Sequence, residues 1–246
     1  MSRDFHELKI AAITAETDAA KTIEFEVPAS LAPVFAWRAG QHVTLRFVID
    51  GEEVRRSYSV SASPFSGERL RITVKRVEDG FVSRHVHEQL TEGDTIEVMP
   101  PFGGFCLDPD DDLRRTHYFF GAGSGITPLF SMLHSVLLKE PHSVVHLLYG
   151  NYSEDNIIFK ERLAELGETF SERLSVDHVL SGQSLLSMFK AWRNGVINEE
   201  TVHELIGERP PYAQDTQYYI CGPGNMNQTV RRAAARIVSP SSIWIS

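Results

Sequence analysis

Over roughly the first hundred residues, apolar side chains recur at every second position. Ile23, Phe25 and Val27 form one such set, Val43, Leu45, Phe47 and Ile49 a second, Leu70, Ile72 and Val74 a third, and Ile96 with Val98 a fourth. A period of two sends one face of a strand into a core and the other into solvent. Turn signals separate the sets: Asp50-Gly51, Ser66-Gly67, Asp79-Gly80 and Glu92-Gly93-Asp94. One short helix fits over residues 83–90, with Ser83 as its N-cap and Val86 and Leu90 on one face. Short strands with one small helix predict a closed antiparallel β-barrel.

Further along, the period changes. Residues 118–120 and 144–149 are short continuous apolar runs, suited to parallel strands buried on both faces. Between them Ile126, Leu129, Phe130, Leu133, Val136 and Leu137 fall at helical spacing. A second helix is expected over 155–166, strands over 174–180 and 217–221, and a last helix over 225–237. Alternating strand and helix predict an α/β doubly wound parallel sheet. The run from Asp108 to Asp112 reads as a solvated connector between the two patterns. The expected organisation is therefore two domains, residues 1–110 and 113–246.

Composition narrows the functional classes. The chain has 246 residues, 42% of them hydrophobic and 23% charged, as in soluble globular proteins. Its formal net charge of −9 argues against nucleic acid or an anionic membrane as the main partner. The two cysteines, Cys106 and Cys221, exclude a disulfide scaffold and any zinc or iron–sulfur site needing four thiolates from this chain. Free thiols, no apolar leader at the N-terminus and no long apolar run lead to the expectation of a cytoplasmic protein. Ten histidines are present, but His85 and His87 stand two apart, which places them on different sides of a helix, and no metal site is expected.

Candidate chemistry gathers at four places. Gly121-Ala-Gly123-Ser-Gly125-Ile-Thr127-Pro128 lies between an expected strand and helix. Its glycines permit a tight turn and close backbone approach, the helix N-terminus attracts an anion, and Pro128 suits the first helical turn. The spacing is G-x-G-x-G, not the G-x-G-x-x-G of dehydrogenases. Cys221-Gly222-Pro223-Gly224-Asn225-Met226 follows a later strand, where it can border the same crevice. Arg56-Ser57-Tyr58-Ser59, read as a strand start, offers a guanidinium fork, a flat ring and a small hydroxyl. Gly80-Phe81-Val82-Ser83 opens the short helix as a further anion cradle.

In this order and spacing, the four motifs resemble the ferredoxin–NADP reductase family. Phe5-His6-x-Leu8, the stretch from Phe35 to His42 and Leu148-Tyr149-Gly150-Asn151 look most like the reductase component of phenylacetyl-CoA epoxidase systems, and more broadly like oxygenase reductases. The resemblance implies FAD on the barrel and NADH or NADPH on the second domain. By the family's pattern, Tyr58 would stack on the isoalloxazine, Ser59 would lie near its N5 and Arg56 would bind the diphosphate. Val74, Lys75 and Arg76 would line the flavin by backbone, with Gly80, Val82 and Ser83 at the phosphates. Thr127 would sit where flavin and nicotinamide meet. Gly121, Gly123, Ser124, Gly125, Pro128, Cys221, Gly222, Pro223 and Met226 would form the pyridine-nucleotide site. The residues at the reacting centre would be Tyr58, Ser59 and Cys221, with no general base.

The implied activity is an FAD-dependent NAD(P)H oxidoreductase passing electrons to a separate acceptor: a ferredoxin domain, an oxygenase component or a small molecule. The phenylacetate-type reductases carry a further C-terminal [2Fe–2S] domain, and this chain stops where it would begin. Tyr152 and Gly182 stand where relatives often have arginine, which turns the expectation towards NADH. A free flavin or quinone reductase and a non-catalytic nucleotide-binding module remain the alternatives.

Overall fold

The computed structural model describes residues 4–182, 188–213, 215–236 and 243–245, the last three by backbone only. Among them no helix is long and apolar enough to cross a membrane. The far end of the expected helix over 225–237, at Ile237, lies outside the described residues.

The N-terminal half is one six-stranded antiparallel sheet. Its strands are β1 (His6–Thr17), β2 (Ala20–Glu26), β3 (His42–Ile49), β4 (Glu52–Ser59), β5 (Arg71–Lys75) and β6 (Thr95–Phe102), in the order β4-β3-β6-β1-β2-β5. The sheet curls until its two edges approach. They are joined by a lone bridge, Val60 to Ile72, and by the Ser61 amide donating to the Arg71 carbonyl at 2.9 Å, not by a full ladder. The barrel is thus closed by a stitch. The period-two side chains fill it: Ile23, Phe25, Val43, Leu45, Ile72, Val74 and Val98 are fully buried. Helix α1 (Phe81–Glu88) plugs one end with Val82 and Val86. Its N-cap is Gly80, not Ser83: the Ser83 hydroxyl lies inside the helix, accepts from the Val77 amide at 3.1 Å and donates back to the Gly80 carbonyl at 3.0 Å.

The C-terminal half is a six-stranded parallel sheet with strands β7 (Arg115–Ala122), β8 (Val144–Asn151), β9 (Leu174–Leu180), β10 (Arg193–Asn194), β11 (Asp215–Cys221) and β12 (Ile243–Ile245). Helices α2 (Ile126–Lys139), α3 (Lys160–Thr169), α4 (Glu199–Glu208) and α5 (Gly224–Ala235) cover it. The strand order is β10-β9-β8-β7-β11-β12. The chain leaves β7 towards β8 and returns to its other flank at β11, so the crevice of a doubly wound sheet opens between the ends of β7 and β11. Helix α3 begins at Lys160, five residues later than the 155–166 reading. Residues 154–156 make a single 3₁₀ turn, and Ile157, Ile158 and Phe159 go into the core in non-helical backbone before the helix starts.

Helix α2 joins the halves. Every residue from 126 to 137 is buried, so it has no solvent face over that length. One side packs on the parallel sheet and the other meets the barrel. There the Ser131 hydroxyl donates to the Ala62 carbonyl at 2.6 Å and Ser135 pairs with Ser63 at 2.8 Å. Gly40, at φ +95°, lets the barrel backbone settle onto Met132, where a Cβ would stand 2.2 Å from the methionine methyl.

Candidate functional site

A cleft of about 1410 Å³ runs between the two halves and takes its walls from both. The barrel supplies the ends of β4 and β5 and the start of α1. The α/β half supplies the loops after β7, β8 and β11. Arg56, Ser57, Tyr58 and Ser59 lie at the C-terminal end of β4, not at a strand start, because β4 begins at Glu52 and carries them to the cleft mouth.

The two glycine loops touch. A Cβ on Gly125 would stand 2.0 Å from the Cys221 carbonyl oxygen and 3.0 Å from the Gly222 nitrogen, so only glycine permits this approach. Gly123 takes φ +53°, and the Tyr149 hydroxyl donates to its carbonyl at 3.0 Å. Across the cleft, a Cβ there would lie 3.6 Å from Lys75 Nζ, which is how near the walls come. Thr127 donates to the Ser124 carbonyl at 3.0 Å, closing the turn into α2. First-turn residues of α1, α2 and α5 all face the cleft. Three helix N-termini bring free amides and positive dipole ends to one space.

Charge is unevenly spread. Among the described lining residues the cations are Arg56 and Lys75, both from the barrel, and the sole carboxylate is Asp79. The exposed Arg56 side chain donates to the Arg55 carbonyl at 2.8 Å and has no ion pair among the described residues, whereas Arg46 and Arg55 are both paired with Glu53. An unpaired guanidinium beside a helix N-terminus suits a diphosphate. Burial raises the Tyr58 phenol above its ordinary range, only partly offset by Arg56, so the ring is neutral as well as flat. Burial likewise raises the Cys221 thiol, which leaves it a protonated, non-nucleophilic side chain at neutral pH.

Of the residues singled out in the sequence, Arg56, Tyr58, Ser59, Lys75, Gly80, Val82, Ser83, Gly123, Ser124, Gly125, Thr127, Pro128, Cys221, Gly222, Pro223 and Met226 all face this cleft. Val74, Arg76 and Gly121 do not. The Val74 side chain is in the barrel core and its carbonyl accepts from His87 at 2.9 Å. The Arg76 amide donates to the Ala19 carbonyl at 2.7 Å, and Gly121 packs against Leu129. The sequence reading quoted Asn151 in a motif but gave it no site role, and missed Asn156, Ser181 and residues 195–198, which come from loops far apart in the chain. Tyr152 lies at the same end and packs flat on Gly182, where a Cβ would come within 2.4 Å of the ring.

Comparison with known proteins supplies the family. The Oxidoreductase FAD-binding domain family matches residues 7–106 and the Oxidoreductase NAD-binding domain family matches residues 119–232. One component of the 1,2-phenylacetyl-CoA epoxidase of Escherichia coli (strain K12) is 34% identical over 236 residues, covering 96% of this chain and 65% of that protein. The chain belongs to the ferredoxin–NADP reductase family. The ferredoxin reductase component of 3-ketosteroid-9-alpha-monooxygenase from Rhodococcus rhodochrous is 36% identical over 234 residues, 95% of this chain and 62% of that one. This family member thus spans a little under two thirds of the length of these curated relatives. The cytochrome b5 reductase domain of Ulva prolifera nitrate reductase shares the fold, with a TM-score of 0.80 at 18% identity over 98% of this chain and 97% of that one. In this ferredoxin–NADP reductase relative, the barrel is the FAD-binding domain and the parallel sheet the domain for NAD(P)H.

Proposed function

We propose that this protein is an FAD-dependent NAD(P)H:acceptor oxidoreductase that delivers electrons to the protein partner of an oxygenase system. One observation carries the reading: a single cleft has a cationic, aromatic wall from one domain and, from the other, a glycine-built wall with no cation among the described residues, and the two close to within a few ångströms at Gly123 and Lys75. Bound FAD supplies an acceptor for hydride that can release electrons singly.

The chain's own residues hold, orient and shield. Arg56 and the first-turn amides of α1 bind the flavin diphosphate. The neutral Tyr58 ring gives a stacking face, and Ser59 offers its hydroxyl beside it. The loops at residues 122–125 and 221–224 take the second dinucleotide through backbone groups. Thr127 and Cys221 line the cleft on the α/β side, where the rings would meet. No residue needs to act as a base, because orientation and a dry contact are what hydride transfer demands. The relatives, a component of an epoxidase and the ferredoxin reductase component of a monooxygenase, support an oxygenase-type acceptor.

The preferred donor is NADH. A 2′-phosphate would lie at the Asn151, Tyr152 and Ser181 end, where no described lining residue carries positive charge. Purified protein should show flavin absorbance that bleaches on anaerobic addition of NADH, and more slowly with NADPH. A protein that takes up no flavin overturns the proposal. A low Michaelis constant for free FMN or quinone moves it to a small-molecule reductase.

A further inference from the structure

Serine is an unexpected residue in a helix with no solvent face, because a buried hydroxyl has to find a partner. Helix α2 holds two, Ser131 and Ser135, both fully buried and one turn apart. The Ser135 hydroxyl donates back along its own helix, to the Ser131 carbonyl at 2.7 Å. A hydroxyl has one proton, so in the 2.8 Å pair between them Ser63 of the barrel donates to Ser135. The Ser131 hydroxyl leaves the helix altogether and donates to the barrel, at the Ala62 carbonyl, 2.6 Å away.

That carbonyl is also held from its own side. The Trp37 indole donates to it at 3.0 Å, and a carbonyl oxygen has room for two donors. The residues just before it form the stitch that closes the barrel: Val60 bridges to Ile72, and the Ser61 amide donates to the Arg71 carbonyl at 2.9 Å. Val60, Ser61 and Ala62 are all fully buried.

Both ends of the Ser131 bond lead directly to the cleft. Ala62 stands three residues beyond Ser59 on the barrel wall, and Ser131 stands one turn beyond Thr127 on the α/β wall. The route from wall to wall is a short piece of stitched backbone, one hydrogen bond and one turn of helix. The Ser63–Ser135 pair lies a further turn from the cleft. Apolar contacts such as Met132 on Gly40 resist separation more than sliding, whereas a hydrogen bond is directional and fixes the height of the helix against the end of β4.

We propose that Ser131 is a positioning residue for hydride transfer: its bond to Ala62 sets Thr127 against Ser59, and with them the nicotinamide against the flavin. The role rests on the reductase reading. Small misplacements of reacting rings are costly, so the step it governs is the transfer itself and not the binding of nucleotide.

The test compares Ser131→Ala, Ser135→Ala and Trp37→Phe in the full chain as purified. The indole N–H resonance of Trp37 reads the bond directly, because Trp37 shares its acceptor with Ser131, and Trp37→Phe identifies the signal by removing it. In Ser131→Ala this proton should move downfield, having lost its competitor. At saturating NADH the flavin of Ser131→Ala should bleach about tenfold more slowly. The half-saturating NADH concentration, flavin retention and thermal midpoint should stay close to the parent, since the Ala62 carbonyl keeps its Trp37 donor. Ser135→Ala should slow bleaching less, and Trp37→Phe, which breaks a bond within the barrel, should bleach at the parent rate. An unmoved indole proton overturns the bond, and unchanged bleaching in Ser131→Ala overturns the role. Equal slowing in Trp37→Phe, a raised half-saturating concentration at an unchanged rate, or loss of flavin and thermal stability in Ser131→Ala each overturns it as well. Should the parent protein take no hydride at all, the reductase reading fails by itself, and the positioning role falls with it.

Discussion

The two walls of the cleft are made in opposite ways. The barrel wall works through what its side chains add: a guanidinium from Arg56, a ring from Tyr58, an ammonium from Lys75. The α/β wall works through what its residues leave out, since Gly125 and Gly222 let backbone and Met226 come closer than any Cβ allows. One wall should therefore be damaged by removing atoms and the other by adding them.

The largest effect is expected at Gly125→Ala. The backbone there is ordinary, at φ −61°, so no conformational strain arises, and the added methyl meets a carbonyl 2.0 Å away. Nucleotide affinity should fall about a hundredfold or more, because the β7 and β11 loops must part. Flavin should remain bound, and titration of NADH into the flavin-loaded variant checks both.

Next comes acid. Burial lowers His146 and His178, both in the α/β half, from 6.5 to about 4. The unfolded chain takes up these protons first as pH falls below 6.5, so stability is lost from there down to about 4, on the order of 2–3 kcal/mol for each ring. Urea midpoints at pH 7 and pH 4.5, followed by far-UV circular dichroism, should show the fall. A flat profile would mean that neither ring is shielded.

Arg56→Ala tests the side-chain wall. Losing one charge-assisted contact should weaken FAD about ten- to a hundredfold and reduce the salt dependence of binding. Equilibrium dialysis at two ionic strengths reads both, and an unchanged affinity would move the diphosphate away from Arg56. The smallest effect belongs to Gly224→Ala. Nothing lies within 4 Å of a Cβ there, and the residue opens α5. A helical alanine should raise stability by about 0.4–1 kcal/mol, which a thermal melt would show.

The architecture was largely legible because it is written in period. Paired strands and an alternating half follow from which faces must be buried, whichever loops connect them. Strand β1 was not read, since irregularities between Ile10 and Ala12 and between Ala15 and Thr17 shift its register and break the alternation. Helix α4 was missed although Asn198 and Thr201 form a reciprocal capping box, because its apolar stripe is short. The start of α3 was misplaced because a left-handed Phe159 has no sequence signature. At the site, the glycine loops announced themselves, as close approach demands glycine. Asn151, Ser181 and Ile197 did not, because only the folded sheet brings their loops together.

Helix α2 has one more consequence. A helix buried along nearly its whole length is covered twice, by the parallel sheet on one side and by barrel residues on the other, and its core cluster takes in Ala39 and Leu107 of the barrel. Cutting the chain after the barrel would leave the α/β fragment with Ser131, Met132 and Ser135 uncovered and the barrel with Gly40, Ala62 and Ser63 bare. Heat should meet the same obstacle. Two domains that share a helix melt in a single cooperative step, and the cleft between them is held as firmly as a core.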